Sequence, residues 1–305
     1  MRTVIALGLL LCAFPAMAKP LDPTPRTVVM TAFHPEWEAL EPAVEKPRTY
    51  RINGLTFLTG KMEGKPVVLM QSGVSMVNAA MNTQLVLDKF NVKRIVFSGI
   101  AGGVDPDLSI GDVIVAQDWA QYLEVSFARR TPQGWKSPEP TDPQAPPNWE
   151  MMFPRGVHVG NASEAPRRQF MIGVDRDLVA LARAVAERTT LQRCAGPEAE
   201  APPGSCLKAA PRIVVGGTGV SASVFADNAE FRDYLQKAYK ARVLDMESAA
   251  VAHVAYANQV PAIVFRSLSD LAGGDENENQ MNTFMALASL NSAQVVRAFV
   301  RALPN

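Results

Sequence analysis

The chain has 305 residues, of which 48% are hydrophobic, and 30 basic and 30 acidic side chains leave it a formal net charge of zero at pH 7. This composition is typical of an enzyme-sized globular protein with one or two domains. Because the basic excess of nucleic-acid or anionic-membrane binding proteins is missing, we expect no nucleic-acid partner.

Residues 1–18 have the pattern of a secretory signal. Arg2 precedes an apolar stretch, and the small-residue pattern Ala-Met-Ala ends at Ala18. The apolar stretch is short for a membrane span. We therefore expect cleavage after Ala18, no membrane attachment afterwards, and a periplasmic or secreted protein with a single domain over 19–305.

The cysteines agree with export. Cys12 leaves with the signal, so the mature chain keeps only Cys194 and Cys206, on either side of a proline- and glycine-rich loop. In an oxidising compartment two such cysteines favour a local disulfide. Their spacing is not that of a zinc site, and we expect no metal and no cofactor.

The first part of the chain alternates predicted strands and helices. Hydrophobic periodicity and Asn-Gly and Glu-Gly turns decide the assignments. The predicted elements are a strand at 26–33, a helix at 35–46, three short strands within 49–73, a helix at 77–90, a strand at 93–103 and a strand at 110–122.

The composition of the chain changes at the start of its second part. Residues 131–166 are rich in proline and lack periodicity, which predicts a long surface insertion, and 194–206 is a second, shorter one. The remaining predicted elements are a helix at 175–194, a strand at 211–219, a helix at 225–240, a strand at 243–244 with a helix after it, a strand at 260–270 and a helix at 279–302.

The order of these elements indicates the fold class. Strands alternate with helices, and several strands are continuous apolar runs, as in sheets that are covered on both faces. We therefore predict an α/β protein, a three-layer sandwich with a central mixed β-sheet flanked by helices.

Polar groups and glycines end four of the predicted strands. They are Ser72-Gly73, 98–103, 216–219 and 267–270. Ligands of open α/β sheets bind beyond the carboxyl ends of the strands, and glycine lets the backbone approach a ligand closely. None of these segments is a nucleotide-binding fingerprint, and each one alone is weak evidence.

Four acids stand at the ends of strands or the beginnings of helices. Glu36 and Glu247 suit the first turn of a helix, Asp245 suits a helix cap, and Asp270 is followed by a segment that is not helix-like. From the residues alone each acid fits a structural or a functional role equally well.

A resemblance favours the functional role. The segments "SGIAGGVDPDLSIGDVIV", "VLDMESAAVAHV" and "VFRSLSDLAGG" resemble the purine nucleoside phosphorylase and nucleosidase superfamily, above all the 5′-methylthioadenosine/S-adenosylhomocysteine nucleosidases. The segment "GVSASVFADNAEFRDYL" also resembles the plant bark and vegetative storage proteins of that superfamily. The resemblance covers about 27–122 and 210–302.

The resemblance implies cleavage of a nucleoside N-glycosidic bond by three acids. By analogy, Glu247 holds the ribose hydroxyls, with Met246 beneath the sugar. Asp270 protonates the purine leaving group, with Ser269 as an orienting hydroxyl, which requires that burial raise the pKa of Asp270. Glu36 positions the attacking water.

Further residues receive supporting roles. Arg266 precedes the Ser-Asp pair, and the alternatives for it are to pair with Glu36 and hold it or to bind a structural acid. For each pocket position ordinary core packing is the competing interpretation. The predicted pocket residues are Phe33, Val74, Gly102, Val220 and Met281.

The chain departs from the superfamily pattern at the glycine stretch. Phe97 and Ser98 stand where phosphorylases have a phosphate-binding arginine, and Ile100 stands where nucleosidases have serine. A phosphate dianion needs cationic or N–H partners, which favours water as the acceptor. We predict a purine nucleosidase; a phosphorylase and a non-catalytic nucleoside-binding protein are the alternatives. We also expect a homo-oligomer, a dimer or a hexamer.

Overall fold

The structure is a computed structural model that describes residues 20–304, so the predicted signal peptide lies outside the described residues. Eighteen strands lie within these residues, and the longest, with 14 residues, belongs to the main sheet. In chain order they are β1 (Asp22–Thr31), β2 (Glu45–Ile52), β3 (Leu55–Met62), β4 (Lys65–Gln71), β5 (Phe90–Gly103), β6 (Val113–Val115), β7 (Asp118–Gln121), β8 (Val125–Phe127), β9 (Arg129–Thr131), β10 (Gly134–Lys136), β11 (Met152–Pro154), β12 (Val157–Val159), β13 (Arg167–Gln169), β14 (Ile172–Gly173), β15 (Ile213–Val215), β16 (Thr218–Ser221), β17 (Ala241–Asp245) and β18 (Ala262–Asp270).

Six α-helices and two short 3-10 helices accompany the strands. The α-helices are α1 (His34–Glu38), α2 (Met76–Lys89), α3 (Arg176–Ala186), α4 (Ala229–Tyr239), α5 (Ser248–Ala257) and α6 (Met281–Ala302), and the 3-10 helices span Glu41–Ala43 and Glu198–Glu200. Within residues 20–304 none of these helices combines the length and apolar character needed to cross a membrane.

Twelve strands form one mixed sheet, and helices flank it, which confirms the predicted fold class. β5 is central, with β1 and β18 parallel to it on its two sides, and β17 runs antiparallel to its last residues. Helices α2 and α5 pack on each other, whereas α6 packs on β18 and β5 with α1 and α3 beside it. The parallel trio β1, β5 and β18 therefore ends at one edge of the sheet.

Two tight hairpins in the first part of the chain are confirmed. Asn53-Gly54 joins β2 to β3, with φ values of 50° and 79°, and Glu63-Gly64 joins β3 to β4, with φ values of 51° and 78°. Positive φ at both central positions is the geometry of type I′ turns, which Asn-Gly pairs adopt at low cost. These turns set the register of the antiparallel side of the sheet.

Several predicted elements are shorter in the structure or divided in two. The predicted helix 175–194 ends at Ala186, and the following residues form a loop held by Asn291 of α6, whose side chain pairs with the backbone of Gln192 at 2.9 and 3.0 Å. The predicted strands at 110–122 and 211–219 each divide in two, into β6 and β7 and into β15 and β16. Each pair of short strands belongs to the same sheet but has different neighbours.

The predicted insertion is more ordered than its composition indicates. Residues 125–169 contain three small two-stranded sheets, β8 with β11, β9 with β10, and β12 with β13. Trp149 anchors the segment on α4, where its ring centroid lies 4.8 Å from that of Phe231. The Tyr234 hydroxyl also donates to the carbonyl of Pro147 at 3.0 Å. Proline-rich sequence without periodicity does not reveal such three-residue strands.

The two cysteines of the shorter insertion lie together. The sulfur atoms of Cys194 and Cys206 are within bonding distance of each other. The backbone N–H of Leu207 donates to the carbonyl of Arg193 at 2.8 Å and closes the same loop. The geometry is compatible with the predicted disulfide, and its formation in the exported protein stays a prediction.

Candidate active site

A cavity opens at the sheet edge where β1, β5 and β18 end. Its open space is about 740 Å³, a volume that includes solvent at the mouth. The residues that line it are Ala32, Phe33, Glu36, Val74, Ile100, Ala101, Gly102, Val224, Phe225, Ala226, Leu244, Asp245, Met246, Glu247, Ser269, Asp270 and Met281.

Strand register explains why distant residues meet here. β5 pairs with β18 so that Gly99 lies opposite Arg266 and Gly102 opposite Asp270. β17 pairs with the end of β5 through Leu244 opposite Gly102, which brings the turn after β17 to the same edge. Chain segments more than a hundred residues apart thus bring their polar ends into one cavity.

Glu36 is buried at the start of α1 and fixed by the backbone. Its Oε2 accepts a hydrogen bond from the N–H of Ala32 at 2.6 Å, and its Oε1 accepts one from the N–H of Ile100 at 2.8 Å. Burial raises the pKa of Glu36, and the charge of Arg266 and the backbone donors only partly oppose that shift. The side chain is therefore a rigid carboxyl group at the floor of the cavity.

Arg266 lies beneath the cavity and joins three acids. Its side chain is fully buried, with Nε 2.6 Å from Oδ2 of Asp245, Nη2 3.5 Å from Oε2 of Glu247 and Nη1 3.8 Å from Oε1 of Glu36. Burial disfavours its charge, but the three carboxylates outweigh burial and raise the pKa of Arg266. The residue is a permanent cation shared by three acids.

The guanidinium of Arg266 has a specific packing requirement. Its Cζ lies 4.1 Å from the ring centroid of Phe97, a cation–π contact inside the protein. A Cβ at Gly99 would lie 1.7 Å from Nη1 of Arg266, so only glycine leaves room at this position. Nη1 has no hydrogen-bond partner among the described residues, and it faces Glu36.

Asp245, the last residue of β17, holds Arg266 in place and also binds N–H groups at the start of α5. Besides the guanidinium, its carboxylate accepts hydrogen bonds from the hydroxyls of Ser221 and Ser248 and from the N–H groups of Glu247 and Ser248. The capping role expected from the sequence is therefore present, joined to an ion pair that the sequence does not show. All lone pairs of the carboxylate are engaged, which makes the pair rigid.

Glu247 faces the cavity from the turn between β17 and α5. Its Oε1 accepts a hydrogen bond from the N–H of Ser75 at 2.8 Å, and its Oε2 faces Arg266. Burial raises the pKa of Glu247 to about 7; Arg266 opposes the shift, while the charges of Asp245 and Glu36 add to it. Glu247 thus changes its charge near neutral pH.

Asp270 ends β18 on another side of the cavity. Its Oδ1 accepts from the N–H of Ala272 at 2.9 Å and from Nδ2 of Asn279 at 3.3 Å, and its Oδ2 accepts from the hydroxyl of Ser269 at 2.9 Å. Burial raises the pKa of Asp270, the hydrogen bonds lower it, and the charge of Asp275 raises it further; the net shift is upward. The carboxyl group is biased towards its protonated form.

Nearly all of the sequence-predicted site residues meet at this cavity. Glu36, Glu247 and Asp270 all line it, and Arg266 contacts Glu36, which is one of the two alternatives predicted for it. Gly102 allows a close approach, because a Cβ there would lie 3.1 Å from Oδ1 of Asp270. The predicted pocket residues that also line the cavity are Phe33, Val74, Met246, Ser269 and Met281.

Val220 is the exception. It is fully buried on β16 in a second apolar cluster, and it does not line the cavity. Neighbouring strand residues point to opposite faces, so Ser221 reaches Asp245 while Val220 points into the core. The apolar wall at this place is instead formed by Val224, Phe225 and Ala226, which follow the strand.

The sequence did not reveal the backbone donors of the site or the ion pair between Asp245 and Arg266. The N–H groups of Ser75 and Ile100 hold Glu247 and Glu36, and backbone groups have no sequence signature. Asp245 as the partner of Arg266 was also missed. Ser221 and Ser248 donate to Asp245, but the sequence does not show that these serines lie near it.

The cavity lining contains acids but no cationic side chain. Of the described residues that line it, none is lysine, arginine or histidine. Across residues 20–304 no group of three or more histidine, cysteine, aspartate or glutamate side chains is arranged to hold a metal ion. The carboxyl groups of the described lining can supply acid–base and electrostatic chemistry.

Known proteins are similar to this chain in sequence and in fold. A family model described as the phosphorylase superfamily matches residues 26–301. A 5′-methylthioadenosine/S-adenosylhomocysteine nucleosidase of Bacillus thuringiensis subsp. konkukian is 26% identical over 276 residues, which are 89% of this chain and 96% of the relative. A nucleosidase of the same description from Bacillus anthracis shows the same identity and coverage.

Solved structures show the same fold at lower identity. The 5′-methylthioadenosine/S-adenosylhomocysteine nucleosidase of Neisseria meningitidis, in complex with methylthio-immucillin-A, superposes with a TM-score of 0.66 at 22% identity, covering 92% of this chain and 100% of that one. The futalosine hydrolase of Helicobacter pylori gives a TM-score of 0.66 at 22% identity and covers 92% and 98%. The architecture is therefore one that hosts nucleoside-cleaving enzymes.

Proposed function

The chain belongs to the phosphorylase superfamily, and from this premise we propose that it is a nucleosidase that hydrolyses the bond between ribose and a purine base. The observation on which the proposal rests is that Glu36, Glu247 and Asp270, which are far apart in the chain, line one cavity. The relatives described as nucleosidases support the hydrolase class.

In the proposed reaction Asp270 makes the purine a better leaving group. A protonated carboxyl at the end of β18 donates its proton to a ring nitrogen of the base as the glycosidic bond breaks. The upward shift of the Asp270 pKa keeps the acid form populated closer to neutral pH. The neighbouring hydroxyl of Ser269 orients the carboxyl group.

The two glutamates act on the sugar and on water. Ionised Glu247 accepts hydrogen bonds from the ribose hydroxyls, and its negative charge stabilises the positive charge that develops on the ribosyl ring. Glu36, fixed by two backbone N–H groups, accepts a proton from the water that attacks the sugar carbon. Arg266 holds both glutamates in position from below.

Water fits this cavity better than phosphate does. A phosphate dianion needs cationic or N–H partners, whereas the described lining offers carboxylates and no free cation. Arg266, the nearest cation, is already engaged by Asp245, Glu247 and Glu36. A dianion in the cavity would meet like charges, so we propose hydrolysis rather than phosphorolysis.

The remaining lining favours a substrate with an apolar 5′ substituent. Most of the side chains that line the cavity are apolar, among them Phe33, Val74, Val224, Phe225 and Met281. A thioether gains from burial against such groups, whereas a hydroxyl would lose its hydrogen bonds to water. We therefore propose methylthioadenosine-like nucleosides as substrates.

Base release from inosine, adenosine and methylthioadenosine, each with and without phosphate, tests the proposal. We expect release that does not depend on phosphate and is fastest for methylthioadenosine. Release that requires phosphate would assign the protein to the phosphorylases. A nucleoside that binds, as measured by calorimetry, but is not cleaved would instead indicate a binding protein, and both of these outcomes reject the hydrolase.

Export and the disulfide form a joint proposal. If the signal is cleaved after Ala18, the mature protein begins at Lys19 and keeps Cys194 and Cys206 alone. We expect N-terminal sequencing of the periplasmic or secreted protein to begin at Lys19, and thiol titration of the denatured, unreduced protein to find no free thiol. Two titratable thiols, or an intact N-terminus, would contradict the proposal.

We also propose that two or more copies associate through α2. Val77 and Met81 are 75% and 59% exposed on this helix, and Val74 continues the apolar surface to the rim of the cavity. Exposed apolar side chains in such a group favour association. We expect Val77→Asp to lower the mass measured by sedimentation equilibrium to that of one chain, while Lys237→Asp on α4 leaves an oligomer; a parent protein that is itself monomeric refutes the proposal.

A further inference from the structure

Asn279, in the segment between β18 and α6, makes three hydrogen bonds with its side-chain amide. Nδ2 lies 3.3 Å from Oδ1 of Asp270 and 3.1 Å from Oδ1 of Asp227. Oδ1 accepts from the backbone N–H of Met281 at 2.9 Å. One side chain thus contacts three different segments around the cavity.

The orientation of this amide follows from its partners. The N–H of Met281 can only donate, so the amide oxygen of Asn279 must face it. The NH₂ group is then directed at the carboxylates of Asp227 and Asp270, which accept. Exchange of the amide oxygen and nitrogen would break all three hydrogen bonds, so the network assigns one orientation.

Each of the three partners belongs to the cavity or to its mouth. Asp270 is the proposed acid, and Met281 lines the cavity. Asp227 directly follows the wall formed by Val224, Phe225 and Ala226. A backbone hydrogen bond from Asn228 to the carbonyl of Ala272, 3.2 Å long, ties the same two segments together. The amide therefore couples the acid to both segments that close the cavity.

The hydrogen bonds also distinguish the two oxygens of Asp270. Oδ1 accepts from two N–H groups, those of Ala272 and Asn279, whereas Oδ2 accepts only from the hydroxyl of Ser269. An oxygen that faces two N–H donors cannot also donate towards them, so the acidic proton belongs on Oδ2. The Ser269 hydroxyl then turns to the carbonyl of Ala101, 3.4 Å away.

We infer that Asn279 is a positioning residue for Asp270, which holds the carboxyl plane and directs the transferable proton to Oδ2. The inference rests on the proposed function. The other charged groups at this carboxyl are Asp275, bound to the N–H of Leu271, and Arg232 of α4, which donates to the carbonyl of Gly103. The side-chain amide of Asn279 also donates a hydrogen bond to Asp227. Asn279 is the neutral donor between these carboxylates.

Two variants separate positioning from helix capping. Asn279→Asp and Asn279→Ser both keep an acceptor for the N–H of Met281, but both remove the amide donor to Asp270. The aspartate also adds a negative charge beside Asp270. Both changes disfavour the ionised form of Asp270 and so raise its pKa.

The measurement is the pH profile of kcat and KM for base release from methylthioadenosine. We expect plateau kcat to fall about tenfold in both variants, the effect of losing a hydrogen bond to a charged or proton-donating group, with KM changing far less. The alkaline limb, where Asp270 loses its proton, should move to higher pH, most in Asn279→Asp. Parent kcat and an unmoved limb in both variants would overturn the inference, even with a lowered Tm.

Gln280→Ser is the matched control. The Gln280 amide donates to the carbonyl of Glu278 at 2.9 Å, beside Asn279 but not at the cavity. We expect parent kcat and parent pH profile. A limb that moves equally in Gln280→Ser would show that any disturbance of this segment moves it, which would also overturn the inference.

A measurement without turnover separates this inference from the proposed function. In protein labelled with ¹³C at the aspartate carboxyls, the Asp270 signal is identified by its loss in Asp270→Asn. If the parent cleaves no nucleoside, the proposed function fails, but the titration of this signal still decides about Asn279. A higher midpoint in Asn279→Asp supports the inference, and equal midpoints reject it.

Discussion

Asp270→Asn should lower kcat for base release by about 10²–10⁴-fold, the usual contribution of a general acid. An asparagine amide can donate a hydrogen bond to the purine, but it cannot transfer a proton. The remaining activity should lose its alkaline limb, because the group whose deprotonation produces it is gone. The acidic limb should persist near pH 7, where Glu247 gains its proton.

Folding and binding provide the controls for this variant. Burial raises the pKa of Asp270 and so favours the neutral form more than in an exposed aspartate, and asparagine imitates that neutral form in charge and shape. We therefore expect an unchanged Tm and a retained increase in Tm on addition of methylthioadenosine. Equal kcat in variant and parent would reject Asp270 as the acid, while loss of binding together with activity would assign it to substrate recognition.

Arg266→Met should have the largest effect on stability. The change leaves Glu36, Asp245 and Glu247 buried around a neutral side chain, and removing one partner of a buried ion pair costs about 3–5 kcal/mol. Without the charge of Arg266, which lowers the pKa values of Glu36 and Glu247, burial raises both of these pKa values further in the folded state. Denaturant unfolding, monitored by circular dichroism, measures the loss.

The pH dependence of that loss has a defined sign. A folded-state pKa above the unfolded value of about 4.3 means that the folded protein binds more protons, so stability falls as pH rises through that interval. Arg266→Met should therefore lose more free energy of unfolding at pH 8 than at pH 5. Arg297→Met, which removes a half-exposed partner of Glu63, should cost about 0–1 kcal/mol. Equal losses of the free energy of unfolding in the two variants would show that Arg266 does not stabilise the three buried carboxylates.

Local patterns in the sequence account for much of the fold. The continuous apolar strands β1, β5 and β18 and the turns at Asn53-Gly54 and Glu63-Gly64 lie where they are predicted. These signals depend on residues adjacent in the chain, and the burial of apolar side chains then selects the layered arrangement. The insertion at 131–166 gave no such signal, because three-residue strands are stabilised by their pairing and by the contact of Trp149 with α4.

The candidate site, like the fold, could be predicted from the sequence only in part. Glu36, Glu247 and Asp270 are recognisable because they follow strands and because their segments resemble a known superfamily. Val220 was assigned to the pocket because the resemblance places 217–223 where the superfamily contacts the purine, but the alternation of β16 turns its side chain into the core. A shift of one residue along a strand exchanges pocket and core, and the pairing of β16 with β17 and β7 determines the register.

The sequence by itself determined the main strands and helices and which acids stand near their ends, but not the ends of every element or the short strands of the insertion. The tertiary structure alone decided that one guanidinium contacts Glu36, Asp245 and Glu247, and that the N–H groups of Ser75 and Ile100 hold the two glutamates. It also decided that Asn279 contacts a fourth acid, Asp270. The physical reason is that secondary structure depends on neighbours in the chain. Hydrogen bonds of a few ångströms between distant segments depend on the register of the whole sheet, and backbone donors are the same in every sequence.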